Sequence, residues 1–151
     1  MKFYIATDHA GFALKSFVID HLTNKGHEVI DLGPDSDARV DYPDFAQKCA
    51  NAVIGDNGSF GILICGTGIG ISVSANKVKG IRAALCHDAY TASMSRAHND
   101  ANILCFGERV VGKGVIESML DAFCNASFEG GRHEGRVNKI EGCCSIGRIE
   151  E

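Results

Sequence analysis

The residues of this chain best suited to chemistry lie in Cys65-Gly66-Thr67-Gly68-Ile69-Gly70. The apolar run Gly61-Ile62-Leu63-Ile64 before them has the length and branching of a buried strand, and Ile71 to Lys77 can form a helix. Three alternating glycines between a strand and a helix leave backbone N–H groups uncovered by side chains. Such a turn offers a concave set of donors to an anion or a developing oxyanion. Cys65, at the end of the strand, points into that turn, where positive backbone dipoles favour thiolate over thiol. A base or nucleophile beside an oxyanion hole is one reading. A buried cysteine ahead of a purely structural turn is the other, because free cysteine is commonly buried.

Three further stretches add titratable or cationic groups. Asp8-His9-Ala10-Gly11 follows the first apolar run, Lys2 to Ala6, so Asp8 is either a helix cap or a partner for a proton-carrying histidine. His98-Asn99-Asp100 closes a helical stretch; His98 either complements the helix dipole or acts as a general acid. Arg132 and Arg136 are four residues apart, on one helix face, and Arg109 follows another apolar run. Paired arginines are commonly solvated, yet they are also what a phosphate clamp requires.

The elements that must position these groups alternate regularly. Strands are expected at 2–6, 27–32, 61–64, 81–86 and 102–106. Helices are expected at 13–22, about 44–54, 71–77, 88–94, 110–123 and from 132 onward, with a long polar loop from Gly33 to Pro43. This pattern predicts βαβ units, right-handed crossovers and a three-layer α/β sandwich around a five-stranded parallel sheet, in the order 2-1-3-4-5. Its switch point, between strands one and three, brings Thr7-Asp8-His9 beside Cys65-Gly66-Thr67, where ligands of such sheets bind. Topology therefore favours the functional reading of Cys65.

Composition narrows the function classes. The 151 residues are 45% hydrophobic and 23% charged, with a net charge of −4, which fits one ordinary globular domain and argues against general nucleic-acid binding. The Met-Lys-Phe-Tyr-Ile-Ala start lacks a signal-peptide pattern, and no run reaches membrane-spanning length. Seven scattered cysteines without a C-x-x-C pair suit reduced thiols in the cytoplasm, and no metal-ligand spacing is evident, so neither a metal nor a cofactor is expected. Gly66-x-Gly68-x-Gly70 has the wrong spacing and the wrong strand for a dinucleotide fingerprint. Gly107 to Lys113 has the outline of a P-loop, but Gly114 replaces the Ser/Thr that would hold magnesium.

Taken together, Asp8-His9-Ala10-Gly11-Phe12, Asp41-Tyr42-Pro43, Ile64 to Gly70, Ala75-Asn76-Lys77, Arg96-x-His98-Asn99-Asp100, Gly107-x-Arg109-Val110 and Glu129 to Val137 resemble the ribose-5-phosphate isomerase B family, which also includes galactose-6-phosphate isomerase subunits. The pieces span nearly the whole chain in the family's order. The resemblance implies a Rossmann-like domain that forms a homodimer or tetramer, with an active site built from two subunits, acting in the pentose phosphate pathway without metal or cofactor. It implies that Cys65 moves the proton between C2 and C1 of the sugar, while Thr67 and the backbone of Gly66, Gly68, Ile69 and Gly70 hold the enediolate. His98, helped by Asp8, would open the ring, with Tyr42 against the sugar and Asn99 on its hydroxyls. His9, Arg109, Arg132 and Arg136 would hold the phosphate, and the helix from about 132 to 151 would pack on a partner subunit. One branch of the family places a glutamate base where this chain has Ile71, so the chain resembles the cysteine-dependent branch. A six-carbon substrate (allose 6-phosphate or galactose 6-phosphate), a non-catalytic sugar-phosphate-binding module, and a thiol redox pair of Cys65 with Cys86 stand as alternatives.

Overall fold

A computed structural model describes residues 1–143. Its elements run β1 (Lys2–Thr7), α1 (Phe12–Asn24), β2 (Glu28–Asp31), α2 (Tyr42–Ile54), β3 (Phe60–Cys65), α3 (Ile69–Ala75), β4 (Ala83–Leu85), α4 (Ala89–Asn99), β5 (Ile103–Gly107), α5 (Lys113–Asn125) and α6 (Arg132–Cys143). The part of the expected C-terminal helix beyond Cys143 lies outside the described residues. Helix α2 starts at Tyr42, two residues earlier than expected, because Pro43 fits the first turn of a helix, where no N–H is needed.

All five strands are parallel, but their order is β2-β1-β3-β5-β4 rather than 2-1-3-4-5. The last two strands exchange places for a reason visible in their side chains. Strand β5 is buried along its whole length and lies between β3 and β4. Strand β4 has only three residues, each half-buried, and serves as the edge. Continuous apolar runs belong in the middle of a parallel sheet, and short strands at its margin. The Asn76 side chain covers that margin: its amide donates to the Ala83 carbonyl at 2.9 Å and its oxygen accepts from the Ala83 N–H at 2.8 Å.

Two apolar layers hold the helices to the sheet. On one face, Phe3, Ile5, Ile62, Ile64, Leu104 and Phe106 pack with α1, α4 and α5. On the other, Ala6, Leu63, Cys65, Ile103 and Cys105 pack with α2 and α3. The strand residues alternate between these faces, as the two-residue period of a strand requires. Crossovers toward β2 and from β4 back to β5 use one face, and those toward β3 and β4 use the other, as right-handed connections dictate.

Candidate active site

The switch point between β1 and β3 survives the corrected strand order, and Asp8, His9, Tyr42, Cys65, Thr67 and Arg109 gather there at the C-terminal edge of the sheet. Cys65 is 4% exposed, on the α2/α3 face, and its Sγ accepts a hydrogen bond from the Gly68 N–H at 3.1 Å. Gly68 can turn the chain back toward the sulfur because its φ is +78°, a conformation that disfavours other residues. A Cβ there would also stand 2.7 Å from the Phe106 backbone. The exposed Thr67 accepts from the Ile69 N–H through Oγ1 at 3.2 Å. Two amides of the glycine loop are therefore directed at side chains of the loop itself.

Strand β5 brings Arg109 to the same place. The Glu108 N–H donates to the Cys65 carbonyl at 2.9 Å and the Arg109 N–H to the Gly66 carbonyl at 3.0 Å, which extends the β3–β5 pairing past both strand ends. The Arg109 guanidinium then lies over Gly66, where a Cβ would stand only 2.8 Å from Nη1. Across the loop, the Tyr42 ring rests on Gly70, and a Cβ there would meet the ring at 2.6 Å. The phenol is 40% exposed, so it forms a wall of the site while facing solvent.

Asp8 and His9 complete this edge. The buried Asp8 carboxylate accepts from the N–H groups of Ala10 (2.9 Å) and Gly11 (3.1 Å), which closes the turn into α1. The N-cap of α1 is Gly11, without a side-chain cap bond, so Asp8 fixes the turn ahead of the helix and is not its cap. His9 Nδ1 lies 3.1 Å from the Val40 carbonyl oxygen and 3.3 Å from the Val40 nitrogen, so the 33–41 loop orients the imidazole. Lys15 anchors the start of that loop: it is buried, forms an ion pair with Asp31 at 3.0 Å and donates to the Pro34 carbonyl.

His98, Asn99, Arg132 and Arg136 are elsewhere. Helix α4 runs back along the sheet, so its last turn, with His98 and Asn99, lies where β5 begins. Helix α6 joins it there: the Glu129 N–H donates to the Ala97 carbonyl at 3.0 Å, and Val137 is buried. His98 stacks on His133, ring centroids 4.2 Å apart and planes at 13°. The arginines are exposed on α6. Arg96, buried against Phe60 and Phe123, donates to Asp100 and to the Ala101 carbonyl, both at 2.8 Å. Arg82 links Asp100 (3.3 Å) to Glu141 of α6 (2.5 Å). Arg96 fixes the end of α4 against β3 and α5, and Arg82 ties it to α6. The length of β5 separates His98 from Cys65, so one chain does not join the two.

His133 and Glu129 matter more than their sequence context signals. Burial, the first cause, together with the neighbouring His98 and Arg132, holds the His133 pKa below the ordinary imidazole value. Neither residue has a spacing to His98 that a sequence pattern would detect; only the packing of α6 on α4 brings them together. Burial also raises the Cys49 pKa to about 12 and that of Cys105 well above the usual thiol range, so both are inert packing groups. The corrected strand order removes the Cys65–Cys86 redox pair. With β5 between β3 and β4, and with Cys65 packed on the α2/α3 face and Cys86 on the opposite one, the two thiols are held apart by the sheet. Among the described residues, no helix is long and apolar enough to cross a membrane.

The chain is similar to known proteins over nearly its whole length. The chain is 50% identical over 139 residues to ribose-5-phosphate isomerase B of Escherichia coli K12, covering 92% of this chain and 93% of the relative. It is 51% identical over 138 residues to a probable ribose-5-phosphate isomerase B of Mycoplasma pneumoniae, covering 91% of each. Among solved structures, ribose-5-phosphate isomerase B of Clostridium thermocellum superposes with a TM-score of 0.92 at 52% identity, over 95% of this chain and 97% of that one. The Mycoplasma genitalium ribose-5-phosphate isomerase B with bound ribulose 5-phosphate gives a TM-score of 0.91 at 44% identity, over 97% of each chain. Residues 3–140 match the family model described as Ribose/Galactose Isomerase. With that match and relatives at half identity over nearly its full length, the chain belongs to the ribose/galactose isomerase family.

Proposed function

We propose that this chain interconverts ribose 5-phosphate and ribulose 5-phosphate, with Cys65 as the base. The carrying observation is the Cys65 sulfur beneath the Gly68 N–H, in a glycine loop flanked by Arg109 and Tyr42. The relative from Mycoplasma genitalium, with ribulose 5-phosphate bound, supports the choice of substrate.

The reaction runs through the open-chain aldose. The Cys65 thiolate takes the C2 proton, and the electron pair moves toward the C1 carbonyl to give an enediolate. Thr67 and the loop backbone hold its oxygens. The thiol then returns the proton to C1 while a hydroxyl proton passes from O2 to O1. A positioned base of this kind contributes about 10²–10⁴-fold, and each oxyanion donor about 10²–10³-fold. The chemistry asks for no electron acceptor.

Ring opening and much of the phosphate binding fall to groups at the other end of the sheet. His98 is the ring-opening acid, Asn99 binds sugar hydroxyls, and Arg132 and Arg136 hold the phosphate with His9 and Arg109. Since one chain separates these sets, the working site combines Cys65, Thr67, Asp8, His9, Tyr42 and Arg109 of one subunit with His98, Asn99, Arg132 and Arg136 of a second copy. A symmetric dimer then has two such sites. Asp8 meets His98 in that composite site and not within one chain.

The family description also names galactose, so the test is a substrate panel of sugar phosphates. Ketose formation is measured from ribose 5-phosphate, allose 6-phosphate and galactose 6-phosphate. The proposal expects ribose 5-phosphate to have the highest kcat/KM. Preference for a six-carbon sugar would reassign the substrate, and binding without turnover of any would leave a sugar-phosphate-binding module.

A further inference from the structure

We propose that His98, Glu129 and His133 form an inhibitory binding site for a borderline transition-metal dication of the Zn²⁺ class. One ligand atom from each of the three lies within 4.8 Å of the others, and they make up the metal-competent cluster among the described residues. Two imidazoles and a carboxylate are the nitrogen and oxygen donors that such an ion prefers.

The second observation is an orphaned atom. The His133 side chain is 5% exposed, yet its Nε2 is buried without a hydrogen-bond partner. The Glu129 carboxylate stands 3.5 Å away, and the His98 ring is stacked at 4.2 Å. That nitrogen stands beside the Glu129 carboxylate without a bond to it, and the His98 ring lies over the face of the same imidazole. Burial also keeps His133 neutral, which is the form that ligates a metal.

The geometry requires the His98 ring to swing out of its stack, because parallel imidazoles direct their in-plane lone pairs side by side and not at one point. Metal–ligand bonds of about 2.0–2.1 Å in a tetrahedral site set ligand atoms about 3.3 Å apart. The cluster is wider than that by up to about 1.5 Å. His98 is half-buried and Glu129 exposed, so both can turn toward the fixed His133, and their exposed side leaves a fourth position for water. Arg132 and Arg136 oppose a cation through space, and the Glu129 carboxylate offsets one of those two charges.

A metal held here would take the lone pair that His98 needs to exchange a proton with the sugar, and turnover would fall. That consequence rests on the proposed ring-opening role of His98; the binding itself does not. The test is a Co²⁺ titration of metal-free full-length protein followed by visible absorption, with ketose formation assayed in parallel. Wild type is expected to bind with the d–d bands of nitrogen/oxygen ligation and no thiolate charge-transfer band. Glu129→Gln, at an exposed position, and His133→Gln should each weaken binding by at least about tenfold. Inhibition should track occupancy and reverse with EDTA. No binding, unchanged binding in Glu129→Gln, or a thiolate band would overturn the site. Binding without loss of turnover would overturn its inhibitory role. Binding in a protein that turns over no sugar phosphate would keep the site and overturn the isomerase reading instead.

Discussion

Cys65 and His98 stand at opposite ends of one sheet: the cysteine ends β3 at the C-terminal edge, and the histidine ends α4 where β5 begins. An isomerase that uses both must therefore combine two chains. Mixing inactive Cys65→Ala and His98→Asn proteins under conditions that exchange subunits tests this. A mixed dimer would hold one intact site of two, so an equal mixture should recover about a quarter of wild-type turnover. A site contained in one chain would recover none.

Gly107 makes a close backbone approach at the site, because a Cβ there would stand 2.5 Å from the Thr67 carbonyl carbon. Backbone cannot give way as a flexible side chain can. Gly107→Ala should cost about 1–3 kcal/mol in stability, measured by urea unfolding. It should also lower kcat, because the clash displaces the loop that carries Thr67. Unchanged stability and turnover would show that the β3 and β5 ends can part freely.

Lys15 reaches no reacting group, yet it anchors the loop that leads to Val40 and so to His9. Lys15→Met leaves the Pro34 carbonyl and the Asp31 carboxylate without that donor, at a cost of about 1–3 kcal/mol. Because the loop orients His9, the proposed phosphate ligand, rather than the proposed base, KM for ribose 5-phosphate should rise more than kcat falls. Steady-state kinetics separates the two. An effect confined to kcat would detach the loop from phosphate binding.

Much of this arrangement was legible in the sequence. The glycine loop, the strand–helix alternation and the switch point followed from local pattern, since strand periodicity and turn chemistry act over a few residues. The order of β4 and β5 was not legible, because it depends on which of two apolar runs wins the sheet interior. The stack of His98 on His133 was equally hidden, since it arises from packing between two helices more than thirty residues apart. The placement of Asp8 and His98 at different ends of the chain's own sheet could be seen only with the fold in hand.

His133 also makes stability depend on pH. Its pKa in the folded protein is depressed below the unfolded value of 6.5, chiefly by burial. Above that value both states are neutral and the group contributes nothing. As pH falls through 6.5, the unfolded chain takes up the proton first, and stability declines until the folded pKa is passed. Urea midpoints measured from pH 7.5 downward should therefore fall less steeply in His133→Gln than in wild type. Parallel curves would remove His133 as a source of acid sensitivity.

The most direct test of the central claim is solvent exchange during turnover. Ribose 5-phosphate is incubated in D₂O with wild type and with Cys65→Ala, and deuterium at C1 of the ribulose 5-phosphate formed is read by NMR. Transfer through an enediolate at Cys65 predicts deuterium in the wild-type product and a loss of turnover of about 10²–10⁴-fold in the variant, with ribose 5-phosphate still bound. Undiminished isomerisation by Cys65→Ala would contradict the account.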